Sequence, residues 1–473
     1  MKAIAFKRTL LMGAIILFIG IFGVPSIAGN IANAIESEIQ WTGHTIAAST
    51  GPALPRAVFA IDIDGDGDND VVSANSDWAY INKIVWYENL GGSPPSWVEH
   101  VIVDTLPYGT WPTDVFAIDI DDDNDVDVIS AAMGGYKLVW YENLGGSPPS
   151  WAMHVLLGSA LSGTIDTMPY SKGWNVGPSV FAIDINNDNH IDIVWGNNKN
   201  DFAWYENDGG SPPSFTRWDI PNSHWESAPA MFVFAIDMDK DGDIDVLAGS
   251  GGSYGELAWY ENLGGSSPSW TEHIIQQRGA TSVFAIDMNK DGLIDVLTDS
   301  YWYENDGSSP PSWTEHYIGN LNANVFAIDL DYDGDIDVFG ARSSNTTIYW
   351  YENLGGSPPS WSGHSVGSGE WDFPKDIDGD CYSDIVAGYQ RVYNDGEVLW
   401  FENMAGSQLQ GDATNDGVID ISDVVYLINY LFINGPAPNP LWMGDCNCDC
   451  VIDVSDVVYL LNYLFAHGPV PGC

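Results

Sequence analysis

The stretch Val58 to Asp70 reads VFAIDIDGDGDND, and recognisable copies of it occur seven times along the chain. An apolar strand runs directly into a loop whose positions 1, 3, 5, 6 and 9 are Asp62, Asp64, Asp66, Gly67 and Asp70. Carboxylates spaced two residues apart, around a glycine that permits a positive φ, suit a hard cation because the tight loop turns side chains 1, 3 and 5 inward. The stretch therefore predicts a calcium-binding loop after a buried strand.

The six later copies keep oxygen-bearing side chains at positions 1, 3, 5 and 9. They are Asp119, Asp121, Asp123 and Asp127; Asp184, Asn186, Asp188 and Asp192; Asp237, Asp239, Asp241 and Asp245; Asp287, Asn289, Asp291 and Asp295; Asp329, Asp331, Asp333 and Asp337; and Asp376, Asp378, Asp380 and Asp384. Position 7 shares no side-chain chemistry, being Asp68, Asp125, His190, Asp243, Leu293, Asp335 and Tyr382. That tolerance is expected if only the backbone carbonyl binds the ion there. Position 6 is Gly or Asn in six copies and Cys381 in the seventh, and cysteine tolerates the left-handed region less well.

Solvated acidic hairpin turns are the alternative interpretation of these loops. Seven copies with ligand-type side chains at fixed positions favour cation binding instead. Carboxylates within ~4 Å of one another repel by roughly 1 to 4 kcal/mol per pair. We therefore expect the loops to splay without a cation.

Composition and charge limit the classes of partner. The 473 residues are 45% hydrophobic and 13% aromatic, which is ample for a core, and 66 acidic residues face 15 basic ones. Such a charge argues against nucleic acid and anionic membrane as partners.

The N-terminus has the pattern of a secretory signal. Lys2, Lys7 and Arg8 precede the apolar run Leu10 to Val24, and small residues including Ala32-Asn33-Ala34 follow. We predict a signal peptide over residues 1–34 and a secreted, extracellular protein. Cleavage after Ala28 and an uncleaved anchor that attaches the protein to the cell surface remain open.

Between the acidic loops the same elements return in order. Trp-Tyr-Glu-Asn segments begin at Trp86, Trp140, Trp204, Trp259, Trp302 and Trp350, with Trp-Phe-Glu-Asn at Trp400. A GGSPPS-type turn and a strand opening with Trp or Phe follow, at Trp97, Trp151, Phe215, Trp270, Trp313 and Trp361. Four short β segments per unit, at a loop-to-loop spacing of 42 to 65 residues, predict propeller blades.

The last type of strand also fixes how the ring closes. Its first copy, at Trp41, precedes the first acidic loop, and none follows Asn403. Trp41 to Ile46 is therefore expected to complete a last blade built from residues 373–403, which hides the edges of an open array. We predict an all-β, seven-bladed propeller over residues 38–404.

These loops resemble FG-GAP or VCBS repeats, the blades of integrin α-chain heads and of many secreted bacterial and archaeal proteins. The resemblance rests on Asp-x-Asp-x-Asp-Gly-x-x-Asp after a Val-Phe-Ala-Ile strand, and it covers most of the chain. It implies cations in hairpin loops on one face and ligands on the opposite face or its rim. The seventh unit departs from it, with Phe373-Pro374-Lys375 where others have Phe-Ala-Ile.

A different module follows a predicted linker over residues 405–410. Residues 411–473 contain two copies of an acidic loop that leads into an amphipathic helix, because Val425, Ile428 and Leu431 recur at helical spacing. The predicted calcium ligands are Asp412, Thr414, Asp416 and Asp423 in the first copy and Asp445, Asn447, Asp449 and Asp456 in the second. The pair resembles a type I dockerin, with Thr414 and Cys450 as departures. The resemblance implies a cohesin-like scaffold or cell-surface protein as partner, and up to nine calcium ions in all; calcium binding without a cohesin is the alternative.

Four of the five cysteines lie in this last module: Cys446, Cys448, Cys450 and Cys473. We therefore expect the propeller to hold together without disulfides. The module is expected to carry one bond, from Cys473 to one of the other three, with a thiolate metal site as the alternative.

The repeat pattern separates two faces of the propeller. The acidic loops and GGSPPS turns share one face, and the loops opposite share no sequence. Candidate ligand-binding aromatics on that variable side are Trp78, Tyr108, Trp111, Tyr170, Trp174, Trp225 and Trp371. The alternative is that they fill the mouth of the ring.

The sequence contains no motif for a catalytic nucleophile, no His-Glu metal-binding helix motif and no phosphate-binding loop motif. We predict a non-catalytic recognition or adhesion module for a glycan or protein ligand. The alternative is a polysaccharide lyase or glycoside hydrolase on a propeller scaffold, since carboxylate pairs for such chemistry are recognised only in space.

Overall fold

The computed structural model describes residues 39–50, 53–76, 82–106, 110–134, 136–158, 178–197, 202–221, 230–250, 255–321, 323–342, 346–392, 395–404, 410–414, 418–433, 435–438, 441–447, 451–466 and 468–471. Residues up to Gln40 form one unit, and the chain from Trp41 onward forms another. The predicted signal peptide lies outside the described residues.

Within the described residues, the strands form seven antiparallel sheets of four strands each. Blade 1 contains β2 (Leu54–Ile61), β3 (Asp70–Ser76), β4 (Asn82–Asn89) and β5 (Trp97–Val103). Blade 2 contains β6 (Thr110–Ile118), β7 (Asp127–Gly134), β8 (Tyr136–Asn143) and β9 (Trp151–Gly158). Blade 3 contains β10 (Ser179–Ile183), β11 (Asp192–Gly196), β12 (Phe202–Asn207) and β13 (Phe215–Asp219). Blade 4 contains β14 (Ala230–Ile236), β15 (Asp245–Ser250), β16 (Leu257–Asn262) and β17 (Trp270–Gln276).

The remaining three blades follow the same plan. Blade 5 contains β18 (Val283–Ile286), β19 (Asp295–Thr298), β20 (Tyr301–Asn305) and β21 (Trp313–Tyr317). Blade 6 contains β22 (Ala323–Ile328), β23 (Asp337–Arg342), β24 (Thr347–Gly356) and β25 (Pro359–Ser368). Blade 7 contains β26 (Glu370–Lys375), β27 (Asp384–Val392), β28 (Asp395–Asn403) and, as its outer strand, β1 (Trp41–Ala47).

The pairing of β1 with β28 closes the ring. Trp41 lies opposite Asn403 and His44 lies opposite Trp400 in an antiparallel register. The predicted seven-bladed propeller, closed by its first strand, is therefore confirmed. Closure removes the exposed strand edge that an open array of blades would carry.

The hydrophobic core lies between neighbouring blades. One cluster contains Val72 and Trp86 of blade 1 together with Val115 and Tyr141 of blade 2. The second strand of blade 1 is buried along its whole length, whereas its outer strand β5 alternates between exposed and half-buried residues. This pattern follows from the architecture, because inner strands are covered on both faces and outer strands on only one side.

Seven phenylalanines form a closed circle on the innermost strands. Each ring contacts the next at centroid distances of 4.5 to 5.7 Å. The members are Phe59, Phe116, Phe181, Phe234, Phe284, Phe326 and Phe373. Tilted and edge-to-face aromatic pairs at such distances are favourable. The circle lines the central axis and includes the divergent seventh blade through Phe373.

In five of the seven blades, the asparagine of the Trp-Tyr-Glu-Asn or Trp-Phe-Glu-Asn segment ties its blade to the one before it. The Asn262 side-chain amide donates to the carbonyl of Ile244 in its own blade at 3.0 Å and to that of Ile185 in blade 3 at 3.1 Å. Cross-blade bonds of this kind also come from Asn89, Asn143, Asn207 and Asn403. The Asn of Trp-Tyr-Glu-Asn is therefore a clamp between blades.

The C-terminal helical unit, from Gly411 onward, contains α1 (Ile421–Ile433), a 3₁₀ helix (Leu441–Gly444) and α2 (Val454–Ala466). Val424 and Leu427 of α1 pack against Val457 and Leu460 of α2. Asp420 caps α1 by accepting the Ser422 amide at 2.7 Å, and Asp453 caps α2 in the same way. No helix in the described part of the chain is long and apolar enough to cross a membrane.

We expect Asn262→Ala to lower the free energy of unfolding by about 2 kcal/mol or more, because buried groups without a hydrogen-bond partner cost ~1–3 kcal/mol each. The loss should appear as a lower thermal unfolding midpoint in excess calcium. Leu263→Ala, a change at the exposed neighbouring residue, is the control and should leave the midpoint in place. Equal midpoints for both variants would refute the clamp.

Candidate metal centres

Each acidic loop, the nine residues that begin at Asp62 and its six equivalents, is held by its own carboxylates. In blade 1, Asp62 accepts the amides of Gly65 at 2.8 Å and Gly67 at 3.0 Å. The position-1 carboxylate accepts the position-6 amide in all seven loops. The position-5 carboxylate accepts the position-7 amide in all seven as well. These bonds turn the carboxylates into the loop.

Two backbone positions in each loop are left-handed. Position 6 has a positive φ in every copy, including Cys381 at 72° and Asn124 at 72°, as predicted. Position 4 does so too, which sequence reasoning missed, and its residues range from Gly65 to Lys240 and Tyr332. Non-glycine residues are uncommon there, so the loop conformation is imposed by its hydrogen bonds rather than by local preference.

The position-9 aspartate of each loop is buried and accepts backbone amides with both of its carboxylate oxygens. Asp70 accepts the Ile63 amide at 2.9 Å with one oxygen and the Asn89 amide at 2.8 Å with the other. The same two bonds recur on the other six position-9 aspartates. Each thereby joins the start of its loop to the end of the third strand.

Burial raises the pKa of these carboxyls, with the amide donors opposing the shift. The pKa of Asp70, Asp127, Asp192 and Asp245 rises to about 7, that of Asp295 to about 6 and that of Asp337 to about 8. Burial also raises the pKa of Asp384 well above its ordinary value. A cation beside them would favour the ionised form instead.

In five loops, three carboxylates each bring an oxygen within 4.8 Å of the others. These sets are Asp62, Asp64 and Asp66; Asp119, Asp121 and Asp127; Asp237, Asp239 and Asp245; Asp329, Asp331 and Asp333; and Asp376, Asp378 and Asp384. One buried oxygen each of Asp64, Asp121, Asp237 and Asp329 has no hydrogen-bond partner among the described residues. Hard oxygen donors that converge without a donor of their own fit a calcium ion.

The loops of blades 3 and 5 differ because they carry asparagine at position 3. The Asn289 side-chain amide donates to Asp291 at 3.1 Å and to Glu304 at 3.2 Å, and Asn186 makes the equivalent contacts. Here an amide hydrogen faces the carboxylates in place of a further negative charge. These two loops therefore hold less negative charge for a cation than the other five.

In blades 1 to 6, the position-7 side chains point at the glycine turn of the same blade. A Cβ built on Gly91 would lie 3.0 Å from Asp68, and one on Gly307 would lie 3.1 Å from Leu293. His190 lies against Gly209 in the same manner. Acid, imidazole and alkyl groups all fit this place, and a metal-binding role for the backbone carbonyl at position 7 stays a prediction.

Neighbouring loops are joined along half of the ring. The position-4 side chain reaches the position-6 carbonyl of the next blade from Asn187 at 3.0 Å, from Lys240 at 2.6 Å and from Tyr332 at 2.8 Å. Lys290 contacts the Gly334 carbonyl in the same way. The acidic loops of blades 3 to 7 therefore form a continuous linked series.

The repeated histidines of the outer strands lie in different blades and do not converge on one site. Each stacks on or packs beside the tryptophan of its own blade and lies 2.6 to 3.0 Å from that blade's Trp-Tyr-Glu-Asn glutamate. The histidines are His44, His100, His154, His273, His316 and His364. In blade 3, Trp218 replaces histidine and donates to Glu206 at 2.7 Å.

The two loops of the C-terminal helical unit share one arrangement. Asp423 accepts the amides of Thr414 at 2.9 Å and Asp420 at 2.8 Å, and Asp456 accepts those of Cys446 and Asp453 at 2.8 Å each. Both aspartates are fully buried at the start of a helix. Thr414 also donates to Asp412 and Asp423, so the departure at Thr414 supports the loop. Asp416 and Asp449 lie outside the described residues.

Of the seven predicted ligand-binding aromatics, Trp111 and Trp371 lie among the described residues. Trp78, Tyr108, Tyr170, Trp174 and Trp225 lie outside the described residues. Trp111 is half-buried in β6, and Trp371 lies in β26. Both precede the acidic loop of their blade at the opposite end of the first strand, on the variable face.

The expectation that the propeller contains no disulfide is wrong, because Cys381 in the acidic loop of blade 7 is disulfide-bonded. Cys446 is free and buried. Burial raises the pKa of the Cys446 thiol well above its ordinary value. The predicted pairing of Cys473 falls outside the described residues.

Two family models match the sequence at the places that carry this geometry. FG-GAP-like repeats match residues 62–130, 184–248 and 237–298, and a dockerin type I domain matches residues 410–465. The chain is an FG-GAP propeller with a C-terminal type I dockerin. The C-terminal helical unit is thus its dockerin domain, and dockerin domains bind calcium and cohesin partners.

No curated protein matches the sequence. Among solved structures, BBS1N in complex with ARL6DN is similar over 77% of this chain and 97% of its own, at 14% identity and a TM-score of 0.45. AofleA from Arthrobotrys oligospora is similar over 70% and 91%, at 15% identity and a TM-score of 0.38. The fungal lectin of Aleuria aurantia, a six-bladed propeller that recognises fucose, is similar over 69% and 98%, at 14% identity and a TM-score of 0.35.

We expect the cation-free protein to lose stability as the pH rises from 5 to 8. A carboxyl whose folded pKa is raised from 3.8 to about 7 stabilises the fold fully below pH ~4, and this contribution is lost as the pH rises through 7. Bound calcium favours the ionised form and should abolish or reverse the trend. Thermal unfolding midpoints at several pH values, with a chelator and with calcium, measure both slopes. Parallel slopes would contradict a cation at these carboxylates.

The number of bound calcium ions, counted by native mass spectrometry, tests which side chains bind the ion in the loop that begins at Asp237. We expect Asp237→Ala combined with Asp239→Ala to reduce the maximum number of bound calcium ions by one, because two converging carboxylates are lost. Asp243→Ala, at position 7 of the same loop, should retain the full number if only its carbonyl is used. Loss of an ion from Asp243→Ala alone would show that the side chain binds.

Proposed function

We propose that this protein is a secreted, calcium-stabilised recognition or adhesion module that binds a glycan or protein ligand on the variable face of its propeller. Its dockerin tethers it to a cohesin-bearing scaffold or cell surface. The proposal rests on one observation: seven near-identical acidic loops and their glycine turns occupy one face, which leaves the divergent loops together on the other.

Calcium has a structural role in this proposal. The acidic loops carry most of the local negative charge, and their carboxylates already accept the available backbone amides. A divalent ion adds the charge compensation that these amides do not provide. The variable face is then presented by a rigid frame, which reduces the ordering cost of binding.

Among the described residues, Trp111 and Trp371 belong to the set of aromatics that we expect on the ligand-binding side. Both lie on first strands, at the end that faces away from the acidic loops. Aromatic rings at such a rim suit the apolar faces of sugars and the anchors of protein partners. Trp174 and Trp225 belong to the same set by sequence alone.

The dockerin presents an apolar surface to a partner. Val425 and Phe432 of α1 and Val458 and Phe465 of α2 are 51 to 70% exposed. Exposed apolar residues in such numbers on two short helices are typical of a protein interface. This surface is available for a cohesin.

Asp114 and Asp299, two buried carboxyls outside the acidic loops, have structural partners. Burial raises the pKa of Asp114 and of Asp299 to about 6, as in many catalytic acids. Asp114 nevertheless accepts the amides of Val115 and Val180, and Asp299 accepts the amide and hydroxyl of Thr281. Both carboxyls hold strands together.

We expect alanine at Trp111, Trp174 and Trp225 together to abolish binding to an array of plant and algal polysaccharides, because the stacking surfaces are removed. The matched control replaces Leu90, Leu144 and Leu354, which are 52 to 57% exposed beside the glycine turns on the opposite face. The control should bind like the unchanged protein. Equal loss of binding in both variants would contradict a ligand on the variable face. In a separate assay, release of reducing ends or unsaturated products from any polysaccharide would favour the alternative, a polysaccharide lyase or glycoside hydrolase.

A further inference from the structure

The acidic loop of blade 7 departs from the other loops at the residues that face outward. Position 6 is Cys381 where the others have Gly or Asn, and position 7 is Tyr382, where no other loop has a tyrosine. The position-4 residue of the neighbouring blade 6 is Tyr332, where the remaining blades have glycine, polar or charged residues. Three exceptions to the repeat therefore coincide at one place on the ring.

These exceptions form a small apolar contact with the dockerin. Tyr382 and Met443 are 1% and 2% exposed and pack together, with Tyr332 against them. The two tyrosine rings meet edge to face at 5.1 Å, and the Tyr332 hydroxyl donates to the Cys381 carbonyl at 2.8 Å. Met443 belongs to the 3₁₀ helix of the dockerin, so a dockerin side chain is buried in the surface of the propeller.

The backbone around Met443 continues the contact into the dockerin. The Met443 carbonyl accepts the Gly411 amide at 2.9 Å, which links this point to the first residue of the dockerin. The Cys381 sulfur lies 3.9 Å from a carboxylate oxygen of Asp445, the first residue of the second dockerin loop. The seventh acidic loop and the second dockerin loop are therefore direct neighbours.

The number of cysteines in the chain limits which residue can be the disulfide partner of Cys381. The chain has five cysteines, Cys381 is disulfide-bonded and Cys446 is free. The partner is therefore Cys448, Cys450 or Cys473, each of which belongs to the dockerin by sequence and lies outside the described residues. A bond to any of the three joins the two domains covalently.

We propose that the dockerin is locked onto the acidic-loop face of blade 7 by a disulfide from Cys381 and by burial of Met443 against Tyr382 and Tyr332. The dockerin is then a fixed extension of the propeller rather than a module on a free linker. This lock does not depend on what the variable face binds.

The position of the lock determines the direction in which the propeller is displayed. Cys381 lies in an acidic loop, so the dockerin is attached to the face opposite the variable loops. The contact uses the 3₁₀ helix and leaves the apolar surfaces of α1 and α2 exposed, with Val425 at 52% and Val458 at 51%. A partner held by those helices lies on the side of the acidic loops, and the variable face points away from it.

The covalent link is tested by cutting the chain between the domains. A specific protease site is inserted into residues 405–410, and the protein is produced by export into an oxidising compartment. After cleavage we expect one band on a gel without reductant. Dithiothreitol, whose two thiols donate the two electrons and become a cyclic disulfide, should convert it to two bands.

Cys381→Gly is the informative variant, because glycine stands at this position in four other loops and accepts the φ of 72° without strain. It should give two bands in both conditions. Asn124→Gly makes the same kind of change, at a φ of 72° in blade 2, and should keep the single band. Peptide mapping without reduction should recover Cys381 linked to Cys448, Cys450 or Cys473. Two bands from the unchanged protein without reductant, or a free thiol at Cys381, would overturn the proposal.

The apolar part of the lock is tested separately on Cys381→Gly. Small-angle scattering of this variant before and after the further change Met443→Ser measures docking in the absence of the bond. We expect the radius of gyration to rise only with the second change, because burial of Met443 against Tyr382 is then lost. No change in either variant would show that the buried contact does not hold the domains together.

Discussion

The buried aspartate at position 9 of each acidic loop is the interaction on which the architecture depends. Its two oxygens accept one amide from the loop and one from the asparagine that ends the third strand. That asparagine uses its side chain to reach the carbonyl of the preceding blade. A single carboxylate therefore connects the loop to the end of the third strand in every blade, and in five blades the asparagine extends that connection to the preceding blade.

This arrangement brings negative charges close together, and their mutual repulsion opposes folding. Carboxylates at positions 1, 3, 5 and 9 converge in a chain with 66 acidic and 15 basic residues. Backbone amides satisfy many of their oxygens, but hydrogen bonds from neutral donors do not cancel net charge. We expect divalent cations to supply that compensation, and the lysines at position 4 of blades 4 and 5 supply a little positive charge by reaching toward the next loop. Stability, metal content and pH response are thus properties of one set of groups.

The two faces of the propeller differ in what they contact. The repeated acidic loops make up one surface of the ring, which also carries the contact with the dockerin. The connections at the opposite ends of the strands differ in sequence from blade to blade. The departures at Tyr332, Cys381 and Tyr382 occur only where the repeat meets the dockerin. Within the described residues, the repeat is therefore broken at blades 6 and 7, where Tyr332 and Tyr382 pack against Met443 of the dockerin.

The sequence alone was sufficient for everything that depends on local spacing. It predicted the acidic loops, the four strands per blade, the closing strand and the two helices, because ligand positions, turn residues and strand length are encoded within short segments. The tertiary structure decided which side chains meet across blades and domains: the circle of phenylalanines, the asparagine clamps and the disulfide of Cys381. It also showed the left-handed position 4, which the hydrogen bonds of the loop itself impose. The repeat gives the order of the blades and the closing strand, but it does not specify which side chains touch once segments separated by tens to hundreds of positions pack together.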